Sequence, residues 1–255
     1  MTQATYDVSD HPDASYAIIT NEDRDVQYNT VDDWNLVLTG VSIGDPKVRK
    51  YEVSVPGRDG VLDLSNALGG VYFENRSIEL SFACINYTTE RFHLLASTVR
   101  NAIEGMKCRV TLSDDLAYFW RGRPQVEVVW PAMDHTELVI SMSAEPHKYS
   151  VYGSYEAWKW SPFNFHTGVV TQEDDVVLTG SVVRVTLPID PARTKPTLWL
   201  NTGAAQARLS TQRSWKTLTA GANVFPEIRM SDSSEVVLEL NGTGSVGVDY
   251  RVGSL

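Results

Sequence analysis

A period of two runs through most of the chain. Tyr51, Val53 and Val55 alternate with Lys50, Glu52 and Ser54; Ile78, Leu80 and Phe82 alternate with Ser77, Glu79 and Ser81. Cys108, Val110 and Leu112 repeat the pattern, followed by Val126, Val128 and Trp130, then Leu138, Ile140 and Met142. Successive side chains of a strand point to opposite faces, so each run predicts a strand with one buried face. One segment departs from this. Between Thr88 and Met106, the apolar residues Phe92, Leu95, Val99, Ala102 and Met106 recur at spacings of three and four. That stripe predicts an amphipathic helix whose apolar face is core. Thr88 or Thr89 can cap its start, Glu90 suits the positive end of its dipole, and Gly105 suits a left-handed C-cap.

Composition changes after Glu145-Pro146-His147-Lys148-Tyr149. An aromatic segment comes next, with Tyr152, Tyr155, Trp158, Trp160, Phe163 and Phe165, and then strands resume without a helical stripe. Val183, Val185 and Leu187 alternate, as do Leu198 and Leu200, then Val236, Leu238 and Leu240. Val246, Val248, Tyr250 and Val252 read as a last strand. Asn201-Thr202-Gly203, Ala220-Gly221 and Asn241-Gly242 read as the turns between them. Short strands with regular turns predict an all-β sandwich. The chain is therefore mainly β, with a β-rich α+β domain over residues 1–150, carrying one amphipathic helix, and a β-sandwich over residues 151–255.

Charge narrows the function classes. Asp and Glu number 32 against 22 Lys and Arg, a net charge of −10. No basic run exists to neutralise phosphates, which argues against a tight nucleic-acid binder. An acidic surface does suit DNA that must slide past without sticking. Acid is concentrated early, at Asp7, Asp10, Asp13, Glu22, Asp23, Asp25, Asp32, Asp33 and Asp45, against Arg24 alone. The plain reading is a solvated, partly mobile N-terminal arm; the alternative is an acidic face lining a channel or meeting a partner. Cys84 and Cys108 are too few for a disulfide scaffold and are expected as buried thiols. The sequons at Asn75, Asn86 and Asn241 have no apolar signal region ahead of them, and no apolar run of ~18 residues predicts a membrane span. The expectation is a protein made and folded in a cytoplasm.

No constellation of catalytic or ligand-holding residues stands out. Gly40-Val41-Ser42-Ile43-Gly44 matches a nucleophile elbow, but that motif works on a strand-to-helix turn, and here Asp45-Pro46 and another strand come after it. Gly242-Thr243-Gly244-Ser245-Val246-Gly247 matches a dinucleotide fingerprint without the helix that would hold pyrophosphate, and reads as a glycine-rich hairpin turn. His11, His93, His135, His147 and His166 lack metal-ligand spacing. Asp114-Asp115, Asp174-Asp175 and Asp232 sit where Asp serves turns. No catalytic group, cofactor or metal is predicted, and the chain is not read as an enzyme. Among Trp158, Trp160, Trp199 and Trp215, the sandwich positions Trp199 and Trp215 are candidates for a carbohydrate platform, although tryptophan also fills cores and interfaces.

The stretch VSVPGRDGVLDLS, Val53 to Ser65, joins two alternating runs through a Pro-Gly-Arg-Asp-Gly core. Pro56 fixes φ and cannot donate, so pairing should stop there. Gly57 and Gly60 supply unusual backbone angles. Asp59 can accept from nearby amides, and Asp63 has two candidate partners, Arg58 and Arg76. The core reads as a shaped, charged turn.

Together with five later segments, this stretch carries a resemblance. VSVPGRDGVLDLS, then VYFENRSIELSF, then NAIEGMKCRVTLSDDLAYFWRGR, EPHKY, WKWSPFNF and the terminal VDYRVGSL resemble, in order, segments of the distal tail proteins of long-tailed, non-contractile phages (siphophages), especially those of Gram-positive hosts. Glu145 and His147 depart from the commoner residues of their segment. The resemblance implies a virion protein at the distal end of the tail. Its first domain would close a homo-hexameric ring around the DNA channel, and its second would be a galectin-like sandwich facing outward. It also implies the tail tube protein, the tail-associated spike protein and, in some phages, receptor-binding proteins as partners. Pro56, Gly57, Arg58, Asp59, Gly60, Asp63, Asn75 and Arg76 are then expected as a structural turn or ring contact.

Overall fold

The computed structural model describes residues 14–65, 67, 70–84, 89–129, 137–155 and 175–255. It is mainly β, as the period of two predicts. The chain divides into two compact units, Met1–Asp115 with Phe119–Pro146, and Leu116–Tyr118 with His147–Leu255.

The first unit runs β1 (Ala17–Asn21), β2 (Val26–Asn29), α1 (Thr30–Trp34), β3 (Leu36–Ile43), β4 (Glu52–Ser54), β5 (Val61–Asp63), β6 (Arg76–Cys84), α2 (Thr89–Ile103), β7 (Cys108–Leu112), β8 (Tyr118–Val129) and β9 (Glu137–Ala144). Its main sheet is antiparallel in the order β2-β1-β7-β8-β9-β6-β3, with β4 and β5 pairing apart from it. The alternation decides the buried face: Leu36, Ile78, Leu80, Phe82, Val110, Val126, Leu138 and Ile140 point to one side. Against them packs α2 through Phe92, Leu95, Ala96, Val99, Ala102 and Ile103. Gly105, at φ 69°, ends the helix as expected, and its N–H donates to the Pro124 carbonyl at 2.9 Å. The expected cap Thr88 lies outside the described residues.

The sheet cannot be flat. Its end strands β2 and β3 are joined only by α1 and Asn35. Six strand gaps of ~4.8 Å would separate them by ~29 Å, whereas five helical residues span ~7.5 Å. The sheet therefore curls back on itself, and the Leu38 N–H reaches the Ser15 carbonyl, just ahead of β1, at 2.8 Å. Periodicity gives no sign of α1, because five residues make barely one turn; its ends do. Asn29 caps it by accepting from the Val31 and Asp32 amides, and Asn35 leaves it at φ 53°. Trp34 is buried and stacks on Tyr28 at 4.9 Å. Closure stops partway along β3: after an irregularity between Leu38 and Gly40, its second half leaves Val41 and Ile43 exposed, on an edge with no strand neighbour among the described residues.

The second unit comprises β10 (Lys148–Ser150), β11 (Val176–Thr179), β12 (Val183–Leu187), β13 (Thr197–Leu209), β14 (Lys216–Thr217), β15 (Gly221–Asn223), β16 (Val236–Asp249) and β17 (Gly253–Ser254). Two long strands, β13 and β16, pair along almost their whole length. Each changes neighbour halfway. The first half of β16 pairs with β12 and the second with β11; the first half of β13 pairs with β15 and the second with β14. Leu198, Leu200, Val246 and Val248 from one half share a core with Ala205, Ala207, Leu209, Leu238 and Leu240 from the other. The ribbon thus folds over at its middle to enclose its own apolar face, as strands do where they pass from one layer to another.

Two expectations are corrected at that fold. Asn201-Thr202-Gly203 and Asn241-Gly242 are not turns between strands, and Gly242–Gly247 is not a hairpin; both lie inside long strands. Gly203 (φ 82°) faces Gly244 (φ 118°) across the pair, and Gly242 (φ 138°) faces Ala205. A Cβ on Gly203 would run into the Thr243 carbonyl oxygen, and one on Gly244 into that of Thr202. The same positive φ that permits a reversal permits a sharp corner, so glycine alone does not distinguish them. A bulge between Leu200 and Thr202 completes the corner by switching the inward positions of β13 from even to odd numbers.

Gly203→Ala and Gly244→Ala should each destabilise the protein by about 3 kcal/mol or more, a fall in thermal midpoint of roughly 6–12 °C. Gly180→Ala, at φ 94° but with open space around the new Cβ, should cost only about 1–2 kcal/mol. Equal losses in a thermal melt at all three positions would refute the corner as a close approach of backbones.

Candidate functional site

The Pro-Gly-Arg-Asp-Gly turn is the tip of an extended arm. Where β3 and β6 stop pairing, their chains continue outward as a two-stranded ribbon. Gly44 N–H donates to Ser77 O (2.8 Å), Glu74 N–H to Lys47 O (2.7 Å) and Arg49 N–H to Tyr72 O (2.8 Å). Farther out, Leu64 N–H donates to Tyr51 O (2.8 Å), and β4 pairs with β5 in the register Glu52↔Asp63. The Arg58 N–H closes the tip on the Val55 carbonyl at 3.2 Å, with Gly57 at φ 82° and Gly60 at φ 76°. Pairing stops at Pro56, as its missing N–H requires. Val48, Tyr51, Val55, Val61 and Val71 are exposed along the ribbon, Tyr51 at 63%. An isolated two-stranded ribbon is at best marginally stable in water. One studded with exposed apolar side chains is shaped to lie on another surface.

The eight expected contact residues fall in two places. Pro56, Gly57, Arg58, Asp59, Gly60 and Asp63 lie at or near the tip. Asp63 accepts from the Ser65 amide at 2.8 Å; the Ser65 hydroxyl first, then that amide, hold its carboxyl below the ordinary range, with help from the Lys50 charge. Among the described residues it makes no ion pair with Arg58 or Arg76. Asn75 and Arg76 lie at the root, about ten residues of ribbon and ~30 Å of contour away. Asn75 Nδ2 donates to Ser143 Oγ at 3.3 Å. Arg76 is buried, its guanidinium 4.6 Å from the centre of the Trp120 ring. Burial pushes its pKa down, and the Asp45 charge partly offsets this. Arg76 lines a cleft of about 660 Å³ with Asp45, Lys47, Glu74 and Arg123.

The early carboxylates are not all a solvated arm. Asp7, Asp10 and Asp13 lie outside the described residues, but Glu22 sits among three cations, 2.9 Å from Arg109 Nε, 3.0 Å from Arg121 Nη2 and 3.5 Å from Lys107 Nζ. Both arginines also face the Phe119 ring, at 5.4 and 5.5 Å. Asp23 accepts from the Lys107 amide at 2.8 Å, and Asp33 from the Asn29 amide at 2.7 Å. Glu22 and Asp23 thus tie the β1–β2 turn to β7 and β8, and Asp33 secures the start of α1.

Trp199 and Trp215 do not form one platform. They attach to opposite halves of β13, ~25 Å apart along the strand, with the corner between them. Trp215 is covered by Arg208, 4.3 Å from its ring centre, and Trp158 and Trp160 lie outside the described residues. Trp199 is 38% exposed. Gly247 lies opposite it, with the Tyr155 ring packed against that glycine. Tyr155 donates to Asp175 at 2.5 Å, and Asn201 Nδ2 donates to both, at 2.9 Å to the phenol and 3.0 Å to the carboxylate. Sequence spacing hides this group, because three chain segments supply it.

Ser42 lies within β3 opposite Glu79, and no helix comes after it to make an elbow. Among the described residues, no group of three metal-ligating side chains occurs and no helix is long and apolar enough to cross a membrane. Cys84 and Cys108 are unpaired thiols, pushed by burial up to about 12 and about 11, which keeps them protonated and unreactive.

No family model and no curated protein matches the chain. Its fold does match a solved structure, that of SPP1 Dit (gp 19.1), a paradigm of the hub adsorption apparatus in phages infecting Gram-positive hosts. The match has a TM-score of 0.57 at 11% identity and covers 94% of this chain and 99% of that one. At that identity the likeness is one of fold.

Glu239 yields a pH test for the second unit. Arg208 and Arg184 hydrogen-bond its carboxylate at 2.9 and 3.1 Å and hold its pKa below the ordinary value of about 4.3. A depressed folded-state pKa contributes stability above the unfolded value, and that contribution is lost as pH falls through the folded one. Glu239→Gln should lower the thermal midpoint at pH 7, and its gap to the native protein should narrow progressively as pH falls below about 5. A gap that stays constant over that range would rule out the ion pairs as its cause.

Proposed function

We propose that the chain is a structural hub protein of a phage tail, and that copies of it close a ring at the distal end of a non-contractile tail. The full-length fold likeness to the SPP1 hub protein carries this reading, and the arm supplies a physical means. In a closed ring, one patch of each copy meets a different patch of the next. An open strand edge and an apolar ribbon are suited to such a contact. On this reading residues 1–150 form the ring, six copies surround the DNA channel, and residues 151–255 are a galectin-like sandwich facing outward. The ring joins the tail tube protein to the tail-associated spike protein and receives receptor-binding proteins. The role is mechanical and needs no cofactor, metal or catalytic group.

A second reading has one observation in its favour. Trp199 stands exposed beside the Tyr155–Asp175–Asn201 group, an aromatic face next to polar groups, which is the chemistry of a sugar site. Titration of the full chain with host-wall polysaccharide tests it. Saturable binding lost in Trp199→Ala would favour adhesion, and no binding would remove it.

The hub reading predicts rings by electron microscopy and a ring-sized mass by light scattering at rising concentration. Arg58→Ala, at an exposed tip, should keep the native melting temperature and weaken assembly. Replacing Glu52–Asp63 by a short Gly-Ser turn should abolish assembly while the sheet still folds. A native chain that stays monomeric at every concentration would sink the ring.

A further inference from the structure

Arg76 is the least satisfied charge among the described residues. It opens β6 at 7% exposure, and its Nε and Nη2 have no hydrogen-bond acceptor. A guanidinium does not give up its proton, so burial leaves a full charge rather than a neutral group. The Trp120 ring stabilises one face of it. Nε and Nη2 remain unmet, and two N–H groups along one edge of a guanidinium match a carboxylate in geometry. Asp45 supplies an opposing charge but no ion pair within 4.0 Å.

The surroundings identify what could meet those donors. The cleft at Arg76 is about 660 Å³, room for several side chains, and its wall carries Lys47 and Arg123 with Asp45, Glu74 and Glu79, so the pull on an anion comes from the unmet Arg76 donors and not from a net positive wall. Beside it, Val41 and Ile43 are exposed on the open edge of β3, and Val48 and Val71 are exposed on the inner half of the arm. Apolar surface around a charged cleft fits a protein partner rather than a small free anion. The chain carries 32 carboxylates against 22 cations, so a copy of itself is well supplied with the complementary group.

We propose that the cleft at the root of the arm receives a carboxylate side chain from a second copy of this chain, which pairs with Arg76 and fixes the register of the copies in the ring. This rests on the ring reading and adds its polar anchor. A buried pair of this kind contributes little to the stability of one subunit and much to specificity between subunits.

The test uses the full chain with Arg76→Met and Arg76→Lys. Arg76→Met should melt at or above the native temperature, since it removes an unpaired buried charge, and should assemble with an affinity about tenfold or more weaker. Arg76→Lys places an amine in the cleft, so carbodiimide treatment should couple it to an Asp or Glu of another copy, giving covalent oligomers that peptide mapping locates. Native rings with unchanged assembly of Arg76→Met would overturn the anchor and leave the ring intact. Coupling only within one copy, to Asp45 for instance, or a large loss of melting temperature in Arg76→Met, would make Arg76 an internal structural residue and overturn the anchor likewise. Saturable binding of free phosphate or acetate that depends on Arg76 and leaves assembly unchanged would assign the cleft to small anions and overturn it too. A native chain that never assembles would overturn both readings.

Discussion

A strand must place its backbone N–H and C=O groups on a neighbour or leave them to water, and this constraint shapes both units. In the first, it curls the sheet until the chain ahead of β1 reaches β3 through Ser15 and Leu38. In the second, it folds the β13–β16 ribbon across itself so that one pair of long strands serves two layers. Where neighbours run out, at the outer half of β3, the chain extends as a ribbon that pairs only with itself. Apolar side chains exposed there are a consequence of that geometry, because a two-stranded ribbon has no interior in which to bury them.

The charged groups obey a related rule. Cations close to the sheets are set over aromatic rings: Arg76 over Trp120, Arg109 and Arg121 beside Phe119, and Arg208 over Trp215. Three of these four also hold a carboxylate, Glu22 for Arg109 and Arg121 and Glu239 for Arg208. Among the described residues Arg76 has the ring and no paired carboxylate, which separates it from the others. An acidic chain in which several acids are already committed to internal cations presents less free negative charge than its composition implies.

The arm and the cleft are joined, because the two segments that build the inner ribbon also supply part of the cleft wall. These segments are Gly44 to Arg49 and Tyr72 to Ser77. The exposed tip and the buried root are therefore mechanically linked through one short ladder. The tip offers apolar area with weak directionality, and the root offers a charge with strong directionality.

The local elements were legible in the chain before any long-range contact was known. A period of two marked the strands, spacings of three and four marked α2, and Pro56 with Gly57 and Gly60 marked the tip, because each depends on neighbours a few residues away. Its glycines declared where positive φ was needed, at Gly203, Gly242 and Gly244, without saying whether the chain reversed or cornered. Only the tertiary structure decided that, since the answer lies in which strand faces those glycines. It also split the residues around the Pro-Gly-Arg-Asp-Gly turn between a tip and a root, and separated Trp199 from Trp215. It placed Arg76 on Trp120 and Glu22 among Lys107, Arg109 and Arg121. Those partners stand tens of residues apart, and a charge or a ring carries no mark in sequence of what it will meet when the sheet curls.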